Sequence, residues 1–397
     1  MHSNNTLEKW EEKTLGEVCD IGAGNSAPQD VALFEDGKYP FIRTADVGKI
    51  HFGKIYSSND LLNDNGIKGL KLFKKGTILI PKSGASTFLN HRVKMEIDGY
   101  VVSHLATVKG NNAIVDDDYL LYYLSTIKVQ DLIQDQNYPS VNIPIISGIK
   151  ILLPNLQEQQ RIVGILDEIF ENIEKAKQNT LQNLNNAKEL FENTLESLFT
   201  KNADEWTEKK LSELGKIYTG TTPKTSEKDN FGNFIPFIKP ADFNKDGTLN
   251  YNNEGLSEKG LKKARFIPKN SVLMVCIGAT ITKTSYTTVD ITCNQQINTL
   301  TPNIDNYKFI YYAMIRKAFK DVILSGCPQT TLPIINKTNW SELTIKLPNS
   351  QTQQKIVQQL DKLQEQTKKL EQIYTQKLQD LDELKQSLLQ KAFNGKL

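Results

Sequence analysis

Apolar residues at alternating four- and three-residue spacings run through the C-terminal part of the chain. Ile356, Leu360, Leu363, Thr367, Leu370, Tyr374, Leu381, Leu384 and Leu388 keep that spacing across Lys377. So narrow a stripe predicts one long helix with a coiled-coil seam. The pattern also stands 194 residues earlier, at Ile162, Leu166, Ile169, Ile173, Ala176, Thr180, Asn183, Ala187, Leu190 and Thr194. Both copies put a polar residue, Asn183 or Lys377, at the same layer. In a seam it would fix register and partner at a cost in stability, unless its side chain reaches out to water. Leu181, Leu184, Phe191, Leu195 and Leu198 add a second apolar stripe to the first helix. Two stripes can bury two surfaces, one against the sister helix and one against another protein. Roughly 45 residues at about 1.5 Å each make a spacer of roughly 65–70 Å, about two turns of B-DNA.

Before each helix the pattern changes to short apolar runs broken by turn residues, the signature of strands. The order is shared. YPFIRTADV or IPFIKPADF comes first, then a strand into a glycine turn (TILIPKSGAS; SVLMVCIGAT), another strand (VVSHLATVK; ITCNQQINTLT), and an amphipathic helix (YLLYYLSTIKVQDLI; FIYYAMIRKAFKDVI). The class is α+β, a mixed or antiparallel sheet with helices in each half. Landmarks recur at shifts near 194: Trp10 and Leu15 as Trp206 and Leu211, Gly84 and Ala85 as Gly278 and Ala279, Tyr122–Tyr123 as Tyr311–Tyr312, and Pro139 as Pro328. A repeat of half a chain means two similar modules about a pseudo-two-fold axis rather than a solenoid. The expected boundaries are 1–153 and 202–347 for the globular segments, and 154–201 and 348–397 for the helices.

With 397 residues, 39% apolar and 24% charged, the chain has ordinary globular composition and length for two or three cores. No charge-free apolar run reaches transmembrane length, and MHSNNTLEKWEEK lacks a signal peptide's apolar stretch, so a cytoplasmic, non-membrane protein is expected. Cys19, Cys276, Cys293 and Cys327 form no C-x-x-C pair and suit buried thiols. Net charge is only +2, yet residues 201–348 hold 20 Lys plus Arg against 14 Asp plus Glu. That excess is too mild to identify a nucleic-acid binder by itself.

No duplicated catalytic set is present. IGAGN at 21–25 keeps only its second glycine in the copy IYTGT, the five Gly-Lys pairs are followed by Tyr, Ile or Leu, and no Pro-Pro pair exists to form an amino-methyltransferase motif. His2, His51, His91 and His104 all lie in the first half, which excludes a repeated histidine site and makes a metal cluster improbable. Polar residues gather instead at the turns: Lys82, Ser83, Ser86, Arg92, His104, Ser140 and Asn142 in the first copy, and Thr280, Lys283, Asn294, Gln295, Gln296, Gln329, Thr330 and Thr331 in the second. Asn and Gln can pair bidentately with adenine, Arg and Lys with guanine, and Ser or Thr with bases or phosphates. Turn residues of these types also satisfy their own backbone.

LPNLQEQQRIV and LPNSQTQQKIV open the two helices, each after an apolar strand (IKILLP; LTIKLP), and a W-x-x-x-x-L lead-in opens each globular segment. Together these resemble the specificity subunit of type I restriction-modification systems over essentially the whole chain. The resemblance implies two target recognition domains separated by two antiparallel helices, each domain reading half of a bipartite double-stranded DNA site. It implies docking of two modification subunits that bind S-adenosylmethionine and methylate adenine, joined by restriction subunits that use ATP and Mg to translocate and cut. No cofactor and no catalysis are then expected in this chain. Thr352 for Glu158 and Lys355 for Arg161 are mild departures between the copies.

The two segments differ at nearly every reading position, so the half-sites should differ and the full site should not be palindromic. Arginine is scarce, at Arg43, Arg92, Arg161, Arg265 and Arg316. The expectation is that Arg43 or Arg92 reads guanine in one half-site, while Lys239, Lys283 and the Asn/Gln run favour adenine in the other. Readings of another class are a coiled-coil scaffold with protein-binding ends, and a nuclease or methyltransferase fused to its recognition unit. Salt dependence separates the scaffold from a DNA binder.

Overall fold

The computed structural model describes residues 10–133, 139–201, 203–244, 246–326 and 333–397. Two compact units emerge, residues 1–179 with 377–397, and residues 180–376. Both long helices, Leu156–Thr200 and Ser350–Phe393, therefore contribute turns to both units.

In unit one a five-stranded mixed sheet runs Cys19–Ala23, Leu105–Gly110, Ile78–Pro81, Arg92–Met95, Phe52–Ile55, with only the last pair parallel. Side chains alternate across a strand, so Ile78 and Ile80 enter one core and Leu79 the other. The first core takes Tyr119 and Leu120 from the helix Asp117–Thr126, Ile162 and Leu166 from the first long helix, and Leu389 and Phe393 from the second. The second core lies against a three-stranded sheet of Asp60–Leu62, Tyr39–Ile42 and Tyr100–Val101. Burial on both faces explains why Ile78–Pro81 is apolar throughout.

Unit two repeats this with an antiparallel four-stranded sheet: Gly215–Thr219, Ile297–Pro302, Val272–Val275, Thr284–Tyr286. Val272 and Met274 face Phe309, Leu195, Phe199, Ile356 and Leu360, while Leu273 and Val275 face the second core. The smaller sheet is Gly255–Leu256, Phe231–Ile238, Thr292–Cys293. In each unit one further strand pair, Glu11–Thr14 with Lys150–Leu153 or Thr207–Lys210 with Thr344–Leu347, leads directly into a long helix.

The helix-opening signature is structural. Asn155 and Asn349 cap the helices, their Oδ1 atoms accepting from Glu158 N and Thr352 N at 2.9 Å each. Gln159 and Gln353, both buried, turn back to donate to Pro154 O at 2.8 Å and Pro348 O at 2.9 Å. Gln159 also donates to Ile114 O and accepts from Asp116 N, each at 2.9 Å, joining helix, strand and loop.

The seam departs from the expected register at two shared layers. Asn183, Leu190, Lys377 and Leu384 are exposed, whereas Leu184, Phe191, Leu378 and Lys385, one residue on in each case, are half-buried. An ideal helix at 3.6 residues per turn drifts against a 3.5-residue repeat, so a straight stripe slips by one position over several heptads. Beyond the first such layer Ala187 is buried and Thr194, Leu381 and Leu388 half-buried, so the seam persists, while Phe191, Leu195 and Leu198 of the second stripe pack into the core of unit two.

Three other expectations change. VVSHLATVK and ITCNQQINTLT are not single strands; each breaks into two, in different sheets, at His104 or at Asn294–Gln296. The amphipathic helices also break. The first ends at Thr126, where Ser125 and Thr126 hydroxyls donate to Tyr122 O and Tyr123 O. The second turns at Arg316, and Glu196 accepts from the Ala318 N–H that opens the helix Lys317–Gly326. Finally, the repeat aligns differently at two landmarks. Tyr122 and Tyr312 each donate to the long-helix carboxylates Asp167 and Asp361, so Tyr122 corresponds to Tyr312 rather than Tyr311. Gly84 N donates to Pro139 O and Gly278 N to Pro333 O, both at 3.0 Å, so the partner of Pro139 is Pro333, not Pro328.

Candidate nucleic-acid interface

Three segments of unit one, distant in sequence, meet where the chain leaves the main sheet. Lys82 N donates to His104 O at 3.0 Å, Val141 N to Lys82 O at 2.9 Å, and Ser83 bridges Ser140. Ser83 Oγ lies 2.7 Å from His104 Nδ1, and Ser86 Oγ donates to Ser83 O at 3.3 Å. Lys82, Ser83, Ser86, His104, Ser140 and Asn142 thus form one patch, with His104, Ser140 and Asn142 exposed. Gly84 at its centre has φ of 76° with nothing within 4 Å of where a side chain would begin, which leaves room for another molecule's backbone.

Arg43 stands one strand away, because Ile42 O accepts from Val102 N. Its guanidinium pairs with Asp60 and lies 5.2 Å from the Phe41 ring centre and 5.5 Å from that of Phe34. The pairing and stacking orient the group while leaving its side chain 39% exposed. Lys239 repeats the arrangement, paired with Glu254 over Phe237. The supporting turn repeats as well: Asp46 and Asp242 accept from Arg43 N at 2.9 Å and Lys239 N at 2.7 Å.

Arg92 does not belong to the patch. It is 2% exposed, and its guanidinium donates to Leu124 O, His91 O and Ile127 O at 3.1, 2.8 and 3.1 Å. Burial pushes its pKa down to about 10, which still leaves it charged at neutral pH. It satisfies the carbonyls at a helix end and holds no group free for a base.

Unit two builds the same frame from other side chains. Cys276 N donates to Gln296 O at 2.8 Å, Ile335 N to Cys276 O at 3.0 Å, and Ile277 bridges Ile334. Lys283 is exposed, with Nζ 3.5 Å from Phe243 O, and half-buried Thr280 accepts from Lys283 N. Asn294 is buried and occupied, its amide donating to Gln296 Oε1 at 3.0 Å and its Oδ1 accepting from Gln296 N at 3.1 Å. Gln295 is exposed and accepts from Thr222 Oγ1. Gln329, Thr330 and Thr331 lie outside the described residues. The positions that answer Ser140 and Asn142 are Ile334 and Asn336, and Asn336 caps a short helix through Asn339 N.

Sequence patterning gives no reason to single out Arg265, yet it is exposed and lies 4.9 Å from the Tyr218 ring centre. The scarcity of arginine was the available signal, since Arg316 is committed to Glu196. The glycine kept from IGAGN to IYTGT serves packing: a side chain at Gly24 or Gly220 would begin 2.2 Å from Val102 O or Asn294 O. Burial pushes the Cys19 and Cys293 thiols up to about 12, so neither is a ready nucleophile. Among the described residues no group of three or more His, Cys, Asp or Glu side chains is placed to hold a metal ion, and no helix is long and apolar enough to cross a membrane.

The family model for the type I restriction modification DNA specificity domain matches twice, at residues 7–183 and 203–379. The specificity subunit of the HindI type I restriction enzyme from Haemophilus influenzae is 30% identical over 168 residues, 40% of this chain and 36% of that protein. The EcoR124I/EcoR124II specificity subunit from Escherichia coli is 26% identical over 226 residues, 54% of this chain and 55% of that one. The matched segments thus span about a third to a half of those relatives. Among solved structures, a chain of a type I R-M system superposes with a TM-score of 0.81 at 20% identity, covering 99% of this chain and 100% of that one. The HsdS subunit from Thermoanaerobacter tengcongensis gives 0.63 at 19% identity, covering 100% and 99%. At these identities the superpositions speak to fold alone.

Proposed function

The chain belongs to the type I restriction modification DNA specificity family, and from that premise we propose that it reads a bipartite, non-palindromic DNA site and directs partner subunits to methylate adenine there. One observation carries the reading. Each unit brings three segments together through the same backbone hydrogen bonds, but the residues at those positions differ: Lys82, Ser83, His104 and Ser140 against Cys276, Ile277, Gln296 and Ile334, with Cys276 buried in the core. A repeated frame with unrepeated polar groups is what reading two unlike half-sites requires.

Arg43, oriented by Asp60 and two rings, is the base-reading candidate of unit one. Lys239, Lys283 and Gln295 are those of unit two. The modification subunits would bind S-adenosylmethionine, and restriction subunits ATP and Mg, with this chain supplying recognition only and working in the cytoplasm. The test is to co-express the chain with a type I modification (methyltransferase) subunit from its own source and map methylated adenines across the genome. A bipartite motif with a fixed unspecified gap is expected. Methylation that persists when this chain is deleted would sink the reading. In the same assay Arg43→Ala should relax one position of one half-site and Lys283→Ala the other half-site. Unchanged preference in both would remove the residue assignments. A phosphate contact would instead weaken all sequences alike.

A further inference from the structure

The loop after Gly84 carries two large apolar side chains that the core does not use. Phe88 is 38% exposed and Leu89 61%, side by side at the tip of a short 3-10 turn, Ala85–Leu89. The turn is firmly held. Thr87 Oγ1 donates to Gly84 O, Gln130 Nε2 to Phe88 O at 2.6 Å, and Asn90 Nδ2 to Gln130 Oε1 at 2.8 Å, while Asn90 Oδ1 accepts from Val129 N at 2.7 Å. Asn90 closes the turn at φ of 53°, in the left-handed region that Asn tolerates.

Exposed neighbours such as these cost solubility unless something covers them. Their surroundings indicate the covering molecule. From Lys82 to Met95 the sequence contains no acidic residue, and the tip rises from the same segment as Lys82, Ser83 and Ser86, beside open Gly84. Arg92 and Lys94 of this segment are buried and committed elsewhere, but an apolar tip on an acid-free turn with Lys82, Ser83 and Ser86 at its base is complementary to stacked bases flanked by phosphates. Among the described residues, the corresponding loop of unit two, 278–284, carries no such pair, although Ile334 in its frame is 44% exposed. The strand after its turn returns two residues sooner, since Leu79 pairs Val93 whereas Leu273 pairs Ser285, and Ile281 there is buried.

We propose that Phe88 and Leu89 form a wedge that enters between adjacent base pairs of the half-site read by unit one, unstacking one step. Apolar side chains at base steps unstack and kink duplexes in this way. The inference rests on the proposed DNA recognition. It adds that the two half-sites are deformed unequally, with the kink confined to one.

The test uses the chain co-purified with its methyltransferase partner and duplexes carrying 2-aminopurine at successive positions of the mapped site. With the unaltered protein, fluorescence should rise several-fold at one step of the unit-one half-site and stay low throughout the other. The double variant Phe88→Ala/Leu89→Ala should lose that rise and bind about tenfold more weakly, with an unchanged salt slope because no phosphate contact is removed. Retained preference for the unit-two half-site shows that the variant is folded. Tight binding by the unaltered complex with no fluorescent step would overturn the wedge and leave DNA recognition standing. Loss of partner assembly with unaltered DNA binding would overturn it in favour of a protein contact. Absence of any site-specific binding by the unaltered complex would sink both.

Discussion

Unit one fastens the end of its packing helix from the sheet, and unit two does so from the long helix. Arg92 reaches out of a strand to the carbonyls of Leu124 and Ile127; the matching strand position in unit two is Thr284, which donates to Thr282 O. There the helix ends at Arg316, whose guanidinium pairs at 2.8 Å with Glu196 of the first long helix and stacks on Phe199. A second exchange runs alongside. Lys94 pairs with Asp118 at 2.7 Å in unit one, while in unit two Tyr286 and Lys308 hold those positions, and Lys308 turns to Asp361. The frame is the same and its fastenings are different, so a cation's residue type does not reveal whether it holds the fold or faces a ligand.

The most severe way to break the comparison is Arg92→Ala. It takes a donor from three carbonyls, of which Leu124 O keeps the Ile127 N–H, and removes a large buried cationic side chain, with an expected cost of about 3–5 kcal/mol. Thr284→Ala should cost about 1 kcal/mol or less. Urea unfolding of each variant checks both, and an Arg92→Ala protein of normal stability with relaxed specificity would return Arg92 to the reading residues.

Next in size is the helix-opening glutamine. Gln159→Ala removes bonds to three backbone groups and should cost about 2–3 kcal/mol, whereas Gln353→Ala, losing the bond to Pro348, should cost about 1 kcal/mol. Equal losses in thermal unfolding would show that the two glutamines carry equal loads.

Tyr122→Phe and Tyr312→Phe each delete a hydroxyl that donates to a long-helix carboxylate, and each should cost about 1 kcal/mol. A large inequality between them would break the correspondence of Tyr122 with Tyr312.

Acid should act on both units through different carboxylates. Burial raises the Glu96 pKa, but hydrogen bonds from Lys75 and Lys94 outweigh it and hold the group at about 2. Burial likewise raises Asp246, and Lys368 with Thr248 brings it to about 2. A depressed folded pKa means stability that is complete above the unfolded value, 4.5 for Glu96 and 3.8 for Asp246, and lost as pH falls toward 2. Glu96→Gln should flatten the acid limb of unit one alone, and Asp246→Asn that of unit two, as followed by amide exchange between pH 5 and 2.5.

The parts legible in the sequence were those with a period or an offset. The strand into the glycine turn, the start of both helices and the α+β class follow from local pattern, and the repeat checked each half against the other. The seam was legible except at Asn183, Leu190, Lys377 and Leu384, which are exposed although Ala187, Leu381 and Leu388 beyond them are covered. Arg92 could not be assigned, because its partners Leu124 O and Ile127 O are backbone atoms that leave no trace in residue type. The match of Pro139 to Pro328 would set Gln329, Thr330 and Thr331 opposite Ser140 and its neighbours, and the hydrogen bond from Gly278 N to Pro333 O moves that anchor five residues on. A repeat landmark based on one proline is weak beside a backbone bond that closes the frame.

Phe393 packs edge-on against Tyr119 and Tyr123 at centroid distances of 5.1 and 5.2 Å, so the core of unit one includes residues made after all of unit two. Unit two is one uninterrupted stretch, 180–376, and can close while the chain is still being translated. Unit one, although begun first, must keep Tyr119, Ile162 and Leu166 uncovered on one side until residues 377–397 leave the ribosome. The order of synthesis and the order of completion are therefore reversed, and the earlier recognition segment is the one exposed longest to chaperones, proteases and misassembly.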